Sequence, residues 1–176
     1  VVGTLVVNPL KARFSNRTLL SMGLICILIS SLGLALAPQS TNIWWLAGIG
    51  TFSGFGVGFI FVLLQIKVQV DASEKNMAPA TSLSYLIRIL AQTVMAAVYG
   101  VIMNMELARG VRGNSGITMG MLNKLSDANS AKNLPQNLLP TMRNIFHLGL
   151  QEIMWCATAL LVIAIVLNLV FNKKSK

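Results

Sequence analysis

Residues 18–66 contain no Asp, Glu, Lys, Arg or His. No other feature restricts the fold as much as these forty-nine consecutive positions without a charge. As one straight helix they would reach ~73 Å, more than twice the ~30 Å hydrocarbon core of a bilayer. The run is too long for one membrane helix and right for two. It is interrupted at Pro38-Gln39-Ser40-Thr41-Asn42, a cluster of helix breakers and polar side chains. Two spans are therefore expected, over residues 18–37 and 43–66. Trp44 and Trp45 stand at the start of the second, where indole rings favour the headgroup layer.

Two further stretches share this character. Residues 79–104 carry one charge, Arg88, and residues 148–171 carry one, Glu152. The whole chain of 176 residues is 55% hydrophobic and only 11% charged, against about 25% charged in a soluble domain. The expected fold is a single all-α transmembrane domain over residues 1–176, with four full spans. Residues 1–9 are apolar but reach only ~14 Å as a helix, too short to cross. We read them as a helix stub, the end of a helix whose beginning lies upstream, so that the chain is expected to be a C-terminal part of a larger protein.

The net charge of +9 does not point to nucleic acid, because the cations lie in the gaps between apolar runs. Lys11, Arg13 and Arg17 precede the first span, Lys67 and Lys75 follow the second, and Lys173, Lys174 and Lys176 follow the last. The turn at residues 38–42 has no cation. The positive-inside rule then places the C-terminus in the cytoplasm and the segment 105–147 outside, in a multi-pass protein of the plasma membrane. Within that outer loop, residues 117–125 read as a short helix lying on the membrane, with Met121, Leu122 and Leu125 toward lipid. Residues 127–135 read as loop. Asn76 is placed to cap the third span and Pro79 to sit in its first turn.

On a helical wheel of the third span, Thr81, Ser84, Tyr85, Arg88, Gln92 and Tyr99 fall within ~60° of one line. Leu83, Leu86, Leu90, Val94, Ala97 and Val101 form the opposite face. A cation deep in hydrocarbon costs ~2.5 kcal/mol or more, so Arg88 is expected to face protein or water. Two roles stay open for it: a structural cation that fixes helix packing, or a residue of a transport path. Glu152 is the one carboxylate inside an apolar run and suits either the interface or the outer mouth of a cavity. Gln65 is a further candidate for lining the path, or a bond between helices. In the second span, Gly50, Gly54 and Gly58 recur every four residues and form a smooth stripe. Such a stripe serves a tight packing seam or a sliding surface.

Catalysis finds no support. The chain has one histidine, His147, and two cysteines, Cys26 and Cys156, both within apolar runs. No metal-ligand spacing, nucleophile triad, paired carboxylates or phosphate-binding loop is present, so neither an enzyme nor a cofactor is expected.

Two stretches together resemble the major facilitator superfamily, in its fourteen-span drug:proton antiporter branch. In Asn8-Pro9-Leu10-Lys11-Ala12-Arg13-Phe14-Ser15-Asn16-Arg17, Leu10, Arg13 and Arg17 match the cytoplasmic loop motif G-x-L-x-D-R-x-G-x-R. Asn8, Ala12 and Ser15 stand where that motif has Gly, the acid and the second Gly, so a basic orienting role is implied rather than a charge relay. Ala80-Thr81-Ser82-Leu83, then Arg88 and Gly100, is similar to the branch's penultimate helix. The resemblance implies the C-terminal half of a helix bundle, helices three to six of that half being the four full spans. It implies multidrug efflux, with hydrophobic or cationic small molecules exported in exchange for protons. The missing N-terminal half would be the partner that carries most proton-coupling acids. The competing expectation is a self-contained four-helix membrane protein, acting as an oligomeric transporter or as a partner subunit.

Overall fold

The structure, a computed structural model, describes residues 16–125, 127 and 130–171. The stub 1–9, Arg13 and the basic tail with Lys173, Lys174 and Lys176 lie outside the described residues, and of Arg17 only the backbone is described. The described residues are helical apart from the connecting turns: α1 (Asn16–Ala35), α2 (Ile43–Asp71), α3 (Met77–Gly113), α4 (Met119–Leu125) and α5 (Leu139–Phe171). Short 3-10 turns occupy Glu74–Asn76 and Ser130–Asn133, the latter within the stretch expected to be loop. All of these helices but α4 are long and apolar enough to cross a membrane. Their outward faces expose large apolar side chains along their length, from Ile25 and Ile29 to Val166 and Val170. Apolar surface of that extent fits a bilayer and not water.

Each expected span is present, but the helices are longer than their apolar cores. α2 continues through Lys67 to Asp71, and α3 runs nine residues past Asn104 to Gly113. Neither extension contains a proline, and the backbone bonds of a helix continue until something interrupts them. α1, by contrast, stops at Ala35, two residues short of the expected end. The residue before Pro38 is driven out of the helical region, so the last turn unwinds ahead of it.

The caps follow ordinary chemistry with one departure. Asn42 caps α2, its side-chain oxygen accepting from the Trp44 N–H at 3.1 Å. Asn76 does occupy the N-cap of α3, but its side chain makes no capping bond, contrary to expectation. At the far end of α3, the Asn114 amide donates to the Gly110 carbonyl at 2.9 Å and closes an orphan acceptor. Gly116, at φ +100°, then turns the chain into α4, a backbone region that favours glycine.

The four long helices form a ring in the order α1, α2, α3, α5. α1 packs most extensively, against α2 on one side and α5 on the other; α3 joins α5, and the α2–α3 edge is the loosest. Leu19, Leu20, Phe59 and Leu63 fill the α1–α2 seam. Three side-chain bonds lace α1 to α5: Ser31 to Thr158 at 3.0 Å, Asn168 to Ser21 at 2.9 Å and Gln151 to the Ala35 carbonyl at 3.0 Å. The last satisfies one of the acceptors left open where α1 ends.

A second apolar cluster closes one end of the bundle. Leu107 of α3, Ile117, Leu122 of α4, Leu134, and Met142 and Ile145 of α5 are buried together. Leu122 is fully buried, so α4 does not turn Leu122 toward lipid as expected. It packs on the ends of α3 and α5, because their extensions offer α4 an apolar surface at hand.

Candidate functional site

The loose α2–α3 edge is where the polar line of α3 lies. Leu83, Leu86, Leu90, Val94 and Val101 are more than half exposed on the outside of the ring. Thr81, Ser84, Arg88 and Tyr99 are half-buried on the other side. Tyr85 and Gln92, on the same polar line, are exposed. Between α2 and α3 a groove of about 380 Å³ opens, floored by Ile27 of α1. Val57, Ile60, Phe61, Leu64 and Gln65 line it from α2; Ser84, Ile87, Arg88, Ala91 and Gln92 line it from α3.

Arg88 is held by aromatic faces. Its Cζ lies 4.0 Å from the Phe61 ring centroid and 4.7 Å from that of Tyr85, one turn away on α3. Such contacts contribute about 0.5–2 kcal/mol each, depending on desolvation. Placing an arginine well inside a helix that crosses a bilayer costs about 2.5–3.5 kcal/mol. The two rings therefore offset much of the cost without completing it. The remaining stabilisation has to come from acceptors for the guanidinium N–H groups. Among the described residues no oxygen accepts from Arg88, and the one ion pair joins Arg109 to Glu106, elsewhere on α3. All five carboxylates of the chain are described, and none pairs with Arg88. Phe61 lies six residues before Lys67 on α2, so the guanidinium sits ~9 Å along the helix from that cationic level.

The sequence candidates divide accordingly. Ser84, Arg88 and Gln92 meet in the groove, and Tyr85 supports Arg88 from its rim. Gln65 joins them from α2. Thr81 and Tyr99 share the face but not the groove, lying seven and eleven residues from Arg88, ~10 and ~16 Å along α3. Glu152 is exposed, and its neighbour Gln151 takes the inward position on α5. His147 lines a separate cavity of about 280 Å³ at the Pro38 end, with Leu34, Pro38 and Gln151. Phe61 escaped the sequence reading. Its one signal was the spacing Phe61–Gln65, an i, i+4 pair that puts an aromatic ring beside a candidate polar residue.

Among the described residues nothing packs on the glycine stripe. A Cβ added at Gly50, Gly54 or Gly58 would meet nothing within 4 Å. The close approach of α1 and α2 runs instead through Gly23 and Gly56, where an added Cβ at Gly56 would lie 3.1 Å from the Gly23 carbonyl oxygen. Gly110 against Ile145 and Gly149 against Met103 play the same part between α3 and α5. Among the described residues no cluster of His, Cys, Asp or Glu is arranged to hold a metal. Comparisons of the chain with family models, with curated proteins and with solved structures returned no match.

Proposed function

We propose that this chain forms part of a secondary active transporter, a proton-coupled exporter of hydrophobic compounds in the plasma membrane, with its lysine-rich end in the cytoplasm. The groove beside Arg88 lines the substrate path. One observation carries this reading: a permanent cation without a carboxylate partner among the described residues borders an apolar groove at the loosest edge of a ring of membrane-length helices. A cation placed only to fix packing would be expected to hydrogen-bond the helix it fixes, and among the described residues Arg88 meets α2 at the face of the Phe61 ring with no hydrogen bond to it. The resemblance to drug:proton antiporters points the same way.

The test is Arg88→Ala in the full-length protein, expressed in cells exposed to lipophilic toxic compounds. Resistance and dye efflux are expected to fall to the level of cells without the protein, while its amount in the membrane fraction is unchanged. Unchanged resistance would remove Arg88 from the path. A second reading, a self-assembling four-helix protein, is favoured by the unfilled stripe at Gly50, Gly54 and Gly58. Cross-linking between copies through Gly54→Cys, with Cys26 and Cys156 replaced by Ser, would distinguish it.

A further inference from the structure

The Arg88 groove has a chemical bias that the efflux reading does not specify. Its charged group is a guanidinium, which stays protonated at any physiological pH. Among the described residues no carboxylate pairs with that charge. Phe61 and Tyr85 hold the guanidinium by ring faces, and its N–H donors have no oxygen acceptor among the described residues. The other polar side chains of the groove, Gln65, Ser84 and Gln92, are neutral and carry both a donor and an acceptor, so its one charge is that of Arg88. Around them the lining is apolar: Ile27, Val57, Ile60 and Leu64 offer no acceptor to a bound head group. A lipophilic cation entering here would meet a like charge that no described side chain of the groove neutralises. An anion would complete the donors that the fold leaves open.

We propose that the groove takes amphipathic anions, with a carboxylate- or phosphate-class head on Arg88 and an apolar body along the α1–α2 side. The proposal rests on the reading of this groove as a substrate path and names the class of molecule that path prefers. Carboxylates and phosphates suit a guanidinium because its donors form a fork that two oxygens can fill at once. Gln65 and Gln92 flank the same opening and add neutral donors. The volume of about 380 Å³ admits a head and part of a chain, with the rest of the molecule free to lie along the open edge between α2 and α3.

The experiment is a fluorescence titration of the purified chain in nonionic detergent, with protein-free micelles as blank. Three probes share one dansyl-undecyl body and differ in the head: carboxylate, methyl ester and trimethylammonium. The carboxylate is expected to bind about tenfold or more tightly than the other two, the ratio for a charge-assisted hydrogen bond. Arg88→Gln is expected to bring it to the level of the ester, and Arg88→Lys to retain part of the preference. Ala91→Trp, which fills the groove and leaves Arg88 in place, is expected to remove binding of every probe. Circular dichroism and gel filtration establish that each variant is folded. The head-group series on the unaltered chain decides the matter even where an Arg88 variant fails to fold. Adding phosphatidylglycerol to the micelles separates two sources of the head: competition with the carboxylate identifies a lipid, and its absence a free amphiphile, the anion preference holding in either case. Equal binding of the three heads, or preference for trimethylammonium, overturns the proposal. If Ala91→Trp still abolished that binding, the groove would stand as a path without an anion preference. No saturable binding of any probe would overturn both.

Discussion

Gly56 and Gly54 lie two residues apart on α2, and replacing each by Ala is expected to move stability in opposite directions. At Gly56 the new Cβ would sit 2.8 Å from Ile27 Cγ1, 3.1 Å from the Gly23 carbonyl oxygen and 3.2 Å from Cys26 Cβ. Ordinary carbon contacts are about 3.5–4.0 Å. Ile27 has the freedom to rotate away, but the Gly23 oxygen and Cys26 Cβ are fixed to the α1 backbone. Relief therefore requires α1 and α2 to part by a few tenths of an ångström, which loosens Leu19, Leu20, Phe59 and Leu63 along the same seam. Overpacking of this kind costs about 1–3 kcal/mol. The change from Gly to Ala inside a helix returns about 0.5–1 kcal/mol. The net loss for Gly56→Ala is then up to about 2.5 kcal/mol. At Gly54 an added Cβ meets nothing within 4 Å, so only the gain of about 0.5–1 kcal/mol remains. Thermal unfolding of the purified chain in nonionic detergent, followed by circular dichroism, is the assay. The helix gain is common to both variants, so they are expected to differ by the overpacking cost, which at ~2–4 °C per kcal/mol for a chain of this size is about 2–12 °C. Equal shifts, or a lower midpoint for Gly54→Ala, would refute the Gly23–Gly56 seam and restore the Gly50–Gly54–Gly58 stripe as the contact within this chain.

Two further predictions concern the polar lacing and the apolar end. Ser31 and Thr158 share a buried bond at 3.0 Å, and each also bonds a carbonyl of its own helix. A double-mutant cycle with Ser31→Ala and Thr158→Val is expected to give a coupling of ~0.6 kcal/mol, the typical value between membrane helices; zero coupling in the same unfolding assay would deny the pairing. Leu122→Ala removes a fully buried side chain from the cluster that seats α4, at a cost of about 2–5 kcal/mol. Limited proteolysis is expected to cleave near α4 far faster in this variant while α1 and α2 stay protected; equal cleavage rates would show that Leu122 does not anchor the segment.

The site was partly legible because a helical wheel needs only one helix. Arg88, Ser84 and Gln92 share a face of α3 by spacing alone, and the groove gathers these three. Phe61 was not legible, because the aromatic support of Arg88 comes from α2, and the register of α2 against α3 is written in no local pattern. Glu152 and Gln151 show the same limit. Adjacent residues on α5 point about 100° apart, and hydropathy does not say which of them meets the end of α1.

The sequence by itself determined the number of membrane-length helices, the turn at Pro38 and the outward apolar face of α3. Charge-free runs, breakers and helical periodicity are local properties, settled by bonds between residues four apart. Only the tertiary structure decided how far the helices run past their apolar cores, that Leu122 is covered, and that Gly56 rather than Gly54 meets a neighbour. Several faces of α2 are smooth enough for close approach. The choice among them belongs to a pair of helices and depends on which faces of both fit together, a property that neither helix carries alone.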